Sequence, residues 1–165
     1  MRKAFIATVM AAAVAGCASV PAQRFDVEAA RTYAKSYDDT WSALVAYFAG
    51  NQIGIRTIEK DSGLIVADSE VNIGTPGVYT SDRSLMQGRI LDLADCGTDP
   101  TNIPYGYVIR LNVLARSQPD GTRVTVNTQF RMLVATPSFV GPPTLSQRAC
   151  NSTGKLEKAI LDAVG

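Results

Sequence analysis

Two long stretches in the second half of the chain alternate apolar and polar residues, and they constrain the fold most. In residues 107–115 the odd positions are apolar. In residues 124–134 the even positions are apolar except for Thr128, while the odd positions from 123 to 131 are arginines and neutral polar residues. Gln118-Pro119-Asp120-Gly121 between them has the composition of a tight turn. The pattern predicts a long antiparallel hairpin with one buried and one solvated face.

A helix is predicted well before this hairpin. Ser36 and Asp39 form a capping pattern, and Gly50-Asn51 supplies residues that tolerate the left-handed backbone at a helix end. Apolar residues recur between these signals at helical spacing, so they share one face. They are Tyr37, Trp41, Leu44, Val45 and Phe48. Trp41, the only tryptophan, is interpreted as the main core anchor rather than a binding platform.

Shorter segments complete the prediction, with strands bounded by turn residues and a final amphipathic helix. Strands are predicted over residues 52–59, 63–70 and 86–93, a loop over 136–149 and a helix over 152–164, while 25–35 favours a strand but also allows a helix. This order predicts an α+β fold, a single antiparallel sheet of about five or six strands with two helices packed on one face. Eight residues are expected to be buried together: Trp41, Leu44, Phe48, Ile109, Leu111, Val126, Phe130 and Ile160.

The beginning of the chain has the composition of an export signal. Arg2 and Lys3 are followed by an apolar stretch of about 13 residues, whereas a helix that spans a bilayer needs roughly 20. The small pair Ala15-Gly16 then precedes Cys17. This arrangement resembles the signal peptide and lipobox of bacterial lipoproteins. A plain secretory signal with a chance cysteine is the alternative interpretation.

The lipoprotein resemblance implies a division of the chain. Residues 1–16 would be removed as the signal peptide, residues 17–27 would comprise the lipidated Cys17 and a tether, and residues 28–165 would form a single α+β domain. In that family the cysteine carries three acyl chains, and two or more hold a protein stably on a membrane. Ala18 stands where relatives retained in the inner membrane have aspartate. The resemblance therefore implies the outer membrane, facing the periplasm.

Cys96 and Cys150 remain once Cys17 is lipidated. An even pair in an oxidising compartment predicts one disulfide, here between the loop after the third sheet strand and the start of the last helix. The alternatives are two buried free thiols or part of a metal site. Because the chain contains no histidine, a zinc site is not expected.

A second resemblance rests on two short segments. Tyr37-Asp38-Asp39-Thr40-Trp41 begins the predicted helix, and Ile58-Glu59-Lys60-Asp61-Ser62-Gly63-Leu64-Ile65 covers the first hairpin turn. Together they are similar to the helix-grip domains of a lipoprotein component of the outer-membrane β-barrel assembly machinery. The resemblance covers about thirty residues and implies a non-enzymatic scaffolding or accessory role.

The residues for most enzyme classes are missing. Without histidine there is no histidine base or catalytic triad, and no cofactor is expected. Ser152 and Lys155 match only the S-x-x-K spacing of penicillin-recognising enzymes. The acidic residues Asp92, Asp95 and Asp99 are interpreted as a solvated turn rather than a calcium site. Loss of the signal leaves 14 of the 16 basic residues against 15 acidic ones, so no nucleic-acid partner is expected.

The sequence therefore predicts a membrane-anchored binding or scaffolding module with a partner protein in the cell envelope. Candidate contact residues are Tyr79 in the 74–84 loop and Phe139 in the 136–149 loop, because apolar side chains there lack helical or strand periodicity. The alternative interpretation is that Phe139 folds back to cover the sheet. The alternative function is a carrier that holds a small apolar ligand or lipid between sheet and helices.

Overall fold

The computed structural model describes residues 19–51, 53–72 and 92–165. These residues form one antiparallel sheet and two helices, the α+β class predicted, with seven strands where five or six were expected. The elements are β1 Ala30–Tyr33, α1 Tyr37–Gly50, β2 Ile55–Glu59, β3 Leu64–Asn72, β4 Ala94–Asp95, β5 Ile103–Gln118, β6 Gly121–Thr136, β7 Thr144–Ser152 and α2 Lys155–Val164.

The predicted hairpin, β5 with β6, forms the centre of the sheet. Each strand is 16 residues long, and only Pro119 and Asp120 separate them. Their register places Val113 opposite Val126 and Ala115 opposite Val124, so these apolar side chains share one face. The other face of β6 is largely solvated up to Arg131, as the alternation predicts.

The remaining strands extend the sheet on both sides of this hairpin, in the order β2-β3-β5-β6-β7-β4. Strand β1 also pairs with β6, through residues Thr122 to Thr125, whereas β7 pairs with β6 from Phe130 onwards. Two strands therefore follow one another along the same edge of β6. This arrangement leaves a short stretch around Thr128 between them, which a side chain from α2 reaches.

Both helices pack on one face of the sheet. Ser36 caps α1, since its Oγ accepts from the backbone N–H of Asp39 at 3.1 Å. Trp41 is 7% exposed and stacks on Tyr37 with ring centroids 6.0 Å apart. The core contains side chains from both helices and from β1, β3, β5 and β6, including Leu44, Phe48, Leu111, Val126 and Ile160. Two of the eight residues predicted to share this core lie outside it: Phe130 is buried elsewhere, and Ile109 is only half-buried and lines a cavity described below.

A second buried cluster occupies the other end of the same sheet face. It contains Cys96, Tyr107, Met132 and Val134, with Cys150 packed against it. The helices cover the part of β6 near Val124 and Val126, so this second cluster is covered instead by the segment around β4. One part of this sheet face is thus covered by the helices, and the other part is covered by the segment around β4 that contains Cys96.

The structure corrects two sequence expectations in this region. Residues 136–149 were expected to form a loop, but Thr144–Ser152 is strand β7, which contains Cys150. The disulfide therefore joins a strand, not the start of the last helix, to the segment after β4. The predicted strand over 86–93 lies outside the described residues except for Asp92 and Leu93, which belong to no strand.

Candidate functional site

The structure separates the predicted site residues into three groups. Cys17 and Tyr79 lie outside the described residues. Cys96 and Cys150 form the predicted pair, with sulfur atoms 1.98 Å and Cα atoms 4.1 Å apart. Phe139 lies in the loop between β6 and β7 and is fully exposed, so the alternative interpretation, in which it folds back to cover the sheet, is wrong.

The N-terminal segment is fastened to the disulfide end of the domain. The backbone N–H of Val20 donates to the carbonyl of Thr98 at 2.9 Å, and the N–H of Thr98 donates to the carbonyl of Val20 at 2.8 Å. The N–H of Gln23 donates to the Asp95 carboxylate at 2.8 Å. Asn151 Nδ2 donates to the carbonyls of residues 22 and 23. The part of the expected tether from Val20 to Gln23 is therefore attached to the domain rather than free.

Gly97 permits this close attachment. Its φ of +65° is a left-handed conformation that other L-residues rarely adopt. A Cβ atom at this position would lie 2.3 Å from the Val20 carbonyl oxygen and 2.8 Å from the Ala22 nitrogen. The Asp95 carboxylate also accepts from the Gly97 N–H at 2.8 Å, and these backbone donors lower the pKa of Asp95. Glycine at 97 is therefore required for residues 20–22 to lie where they do.

The loop between β6 and β7 presents apolar side chains to solvent. Phe139 and Val140 are 107% and 93% exposed, and Leu145 at the start of β7 is 58% exposed. The loop has internal order: Val140 N–H donates to Ser138 Oγ at 3.3 Å, and two consecutive prolines follow Gly141. At its base, Thr136 Oγ donates to Asn102 Oδ1 at 2.7 Å. We call residues 137–143 the apolar loop.

An ion pair lies at the disulfide end of the domain, near the base of the apolar loop. Arg148 lies 2.6 Å from the Asp99 carboxylate, which also accepts from the side chain and backbone of Thr101. The Thr101 hydrogen bonds, with that from Arg148, lower the pKa of Asp99 to about 2. Since Thr98 precedes this turn and Asn102 follows it, the turn connects the N-terminal segment to the base of the apolar loop.

The S-x-x-K spacing has a structural explanation. Ser152 Oγ donates to the Glu157 carboxylate at 2.8 Å and accepts from the Gly154 N–H, while Lys155 pairs with Asp92. Glu157 is 2% exposed and accepts a second hydrogen bond from Thr128 on β6. The serine and lysine therefore have different partners, and the buried glutamate joins α2 to the sheet in the stretch between β1 and β7. Nothing in the sequence pattern distinguishes this glutamate from a solvated one.

A cavity of about 300 Å³ lies between the sheet and the helices. The C-terminal part of α1, strands β3 and β5, and the first turn of α2 line it, with mainly apolar side chains. Ile109, Leu111 and Leu156 are among these, and Asn51 and Asp68 add polar groups. Such mixed apolar cavities are typical of small-ligand sites.

The described part of the chain contains no group of three or more histidine, cysteine, aspartate or glutamate side chains placed to hold a metal ion. Asp92, Asp95 and Asp99 each have separate partners. Among the same residues, no helix combines the length and apolarity needed to cross a bilayer. No family model matches the chain, and no curated protein matches it.

Proposed function

We propose that the chain is a lipoprotein anchored through Cys17, acting as a non-enzymatic binding or scaffolding module on the periplasmic face of the outer membrane. The observation that carries the proposal is the attachment of Val20–Gln23 to the disulfide end of the domain. The anchor is only three residues before Val20, a span of about 11 Å when fully extended. A lipid at Cys17 would therefore hold one defined end of the domain against the membrane.

The chemistry of the chain fits binding better than catalysis. The sequence has no histidine, and Ser152 and Lys155 are engaged with different acidic partners. The apolar loop presents Phe139 and Val140 to solvent from a rigid hairpin, which makes it the candidate surface for contact with the envelope. A lipid-anchored domain is suited to hold another envelope component close to the membrane.

The anchor is tested in intact cells with a radiolabelled fatty acid and membrane fractionation. The unmutated chain should incorporate label and sediment with membranes, whereas Cys17→Ser should do neither. Ser19→Ala is the matched control, since it alters a neighbouring residue and keeps the lipobox intact. Absence of label from the unmutated chain would refute the lipid anchor.

The partner is sought by affinity capture from detergent-solubilised membranes. We expect one envelope protein to copurify with the unmutated chain in greater amount than with Cys17→Ser, because the anchor concentrates both at the same membrane. Equal recovery with both forms would show that the anchor does not serve the interaction.

The cavity of about 300 Å³ favours a second candidate function, a carrier of a small apolar ligand or lipid. The protein would then copurify with an apolar molecule detectable by mass spectrometry after solvent extraction. Gly54 lines the cavity, and a Cβ there would meet only the Asp68 carbonyl oxygen, at 3.6 Å. Gly54→Leu should therefore fill the space and abolish copurification; unchanged ligand recovery from this variant would count against the cavity.

A further inference from the structure

The apolar loop and the attached N-terminal segment emerge from the same end of the sheet. Going back along the chain from Gln23 to Val20, the segment passes from Asn151 to Thr98. Asp99 then pairs with Arg148, which is nearer the loop on β7 than Asn151 is. Read from Gln23 back to Val20, the described segment therefore runs towards the end of β7 from which the apolar loop begins.

The two segments start at different levels along the sheet, because Thr98 precedes Asp99, and Asp99 pairs with Arg148, which lies opposite Met132, four residues before Thr136. Val20 pairs with Thr98, and the turn that follows ends at Asn102, whose side chain accepts from Thr136. Cys17 is three residues before Val20, and Phe139 is three residues after Thr136. Each span is at most about 11 Å when extended. Cys17 can thus reach about the level of Thr136, so that its acyl chains can enter the same layer as the Phe139 ring.

The charges around the loop permit approach to an anionic membrane surface. Residues 121–156 contain no aspartate or glutamate. Of the two acidic residues between β4 and β5 that lie beside β7, Asp99 is paired with Arg148, and Asp95 accepts from the N–H groups of Gly97 and Gln23. Negative lipid headgroups therefore meet no unpaired carboxylate on the loop itself.

From these observations we propose that Phe139 and Val140 insert into the bilayer that holds the Cys17 lipid, as a second contact that fixes the orientation of the domain. The inference rests on the proposed lipid anchor. A solvated pair of large apolar side chains on a loop stiffened by Pro142-Pro143 would lose little conformational entropy on insertion. Burial of both side chains in the acyl boundary region removes their apolar surface from water.

Insertion is tested by fluorescence quenching with the lipidated protein purified from membranes. Phe139→Trp is reconstituted into phosphatidylethanolamine–phosphatidylglycerol vesicles, with or without bromine on the acyl chains. Asp120→Trp is the matched control, because it is also an exposed hairpin turn but lies at the opposite end of β6. The native Trp41 is buried in the core and supplies a constant background measured on the unmutated protein.

We expect brominated lipids to quench the fluorescence added by Phe139→Trp about twofold, with no quenching of the Asp120→Trp control. Equal quenching of both variants, or none of either in protein that carries fatty-acid label at Cys17, would overturn the inference and leave the lipid anchor standing. Absence of fatty-acid label from the unmutated chain would overturn both the insertion and the lipid anchor. A photocrosslinker in place of Phe139 in intact cells should give a phospholipid adduct; a specific protein adduct instead would assign the loop to a protein partner and refute insertion.

Discussion

Replacing Gly97 with alanine should release the N-terminal segment from the domain while leaving the fold intact. The new Cβ would lie 2.3 Å from the Val20 carbonyl oxygen, a separation that real Cβ contacts essentially never show. The nearby atoms are backbone and belong to residues that two hydrogen bonds hold against Thr98. Movement of residues 20–22 away from Thr98 is therefore the available response.

The size of the effect follows from three contributions. A left-handed alanine costs about 1–2 kcal/mol relative to glycine. Loss of the two hydrogen bonds between Val20 and Thr98 costs about 0.5–1.5 kcal/mol each. The freed backbone regains conformational entropy, which offsets the lost hydrogen bonds. The free energy of unfolding should therefore fall by only about 1–2 kcal/mol, while the segment opens.

In the protein anchored as proposed, trypsin cleavage after the exposed Arg24 would release the domain into solution and would therefore report this opening. Release should be about tenfold faster for Gly97→Ala, corresponding to about 1.4 kcal/mol in the opening equilibrium. Gly154→Ala is the control: its φ is +83°, but its Cβ would meet Val27 only at 3.5 Å. It should be destabilised to a similar extent without faster release. Equal release rates for the two variants would refute the steric argument.

Three further outcomes are expected. Trp41→Ala should lower the free energy of unfolding by about 3–5 kcal/mol in denaturant titrations, and a solvent-exposed emission maximum for native Trp41 would contradict its core position. Reduction of the Cys96–Cys150 disulfide, which spans 54 residues, should cost about 4 kcal/mol, and unlinked peptides after non-reducing digestion would contradict the pairing. Because the folded-state pKa of Asp99 is lowered from 3.8 to about 2, its contribution is complete above pH 3.8 and is lost as the pH falls towards 2. The stability difference between the parent and Asp99→Asn should shrink over that window, and a constant difference would count against the lowered pKa that the hydrogen bonds from Thr101 and Arg148 produce.

The sequence predicts best those elements in which the spacing of apolar residues reflects the burial of one face. The face shared by Val124 and Val126 alternates with period two, and Trp41 recurs with Leu44 at helical spacing, because both elements bury one face. Strand β7 has no such spacing of apolar residues. Its first four residues are exposed and its inward position 148 is arginine, so backbone hydrogen bonds to β6 and the pair with Asp99 hold it in place. The fold therefore does not require an amphipathic pattern in this strand.

The candidate surface was only partly predictable for a similar reason. Phe139 stands out in sequence because no periodicity accounts for it, but its exposure depends on where β6 ends and β7 begins. The attachment of Val20 to Thr98 uses backbone groups, which every residue possesses, so no side-chain pattern announces it. Gly97 was visible only as part of an expected turn, and its steric role depends on the segment that lies against it.

On the proposed insertion, the length of the central hairpin would set the greatest height of the domain above the membrane. Sixteen residues at about 3.3 Å per residue give each strand a length of about 50 Å. With the apolar loop in the bilayer, Pro119 and Asp120 would stand about that far into the periplasm. The hairpin would then act as a spacer of fixed length. A partner bound near Asp120 would be held at a fixed distance from the membrane without any flexible linker.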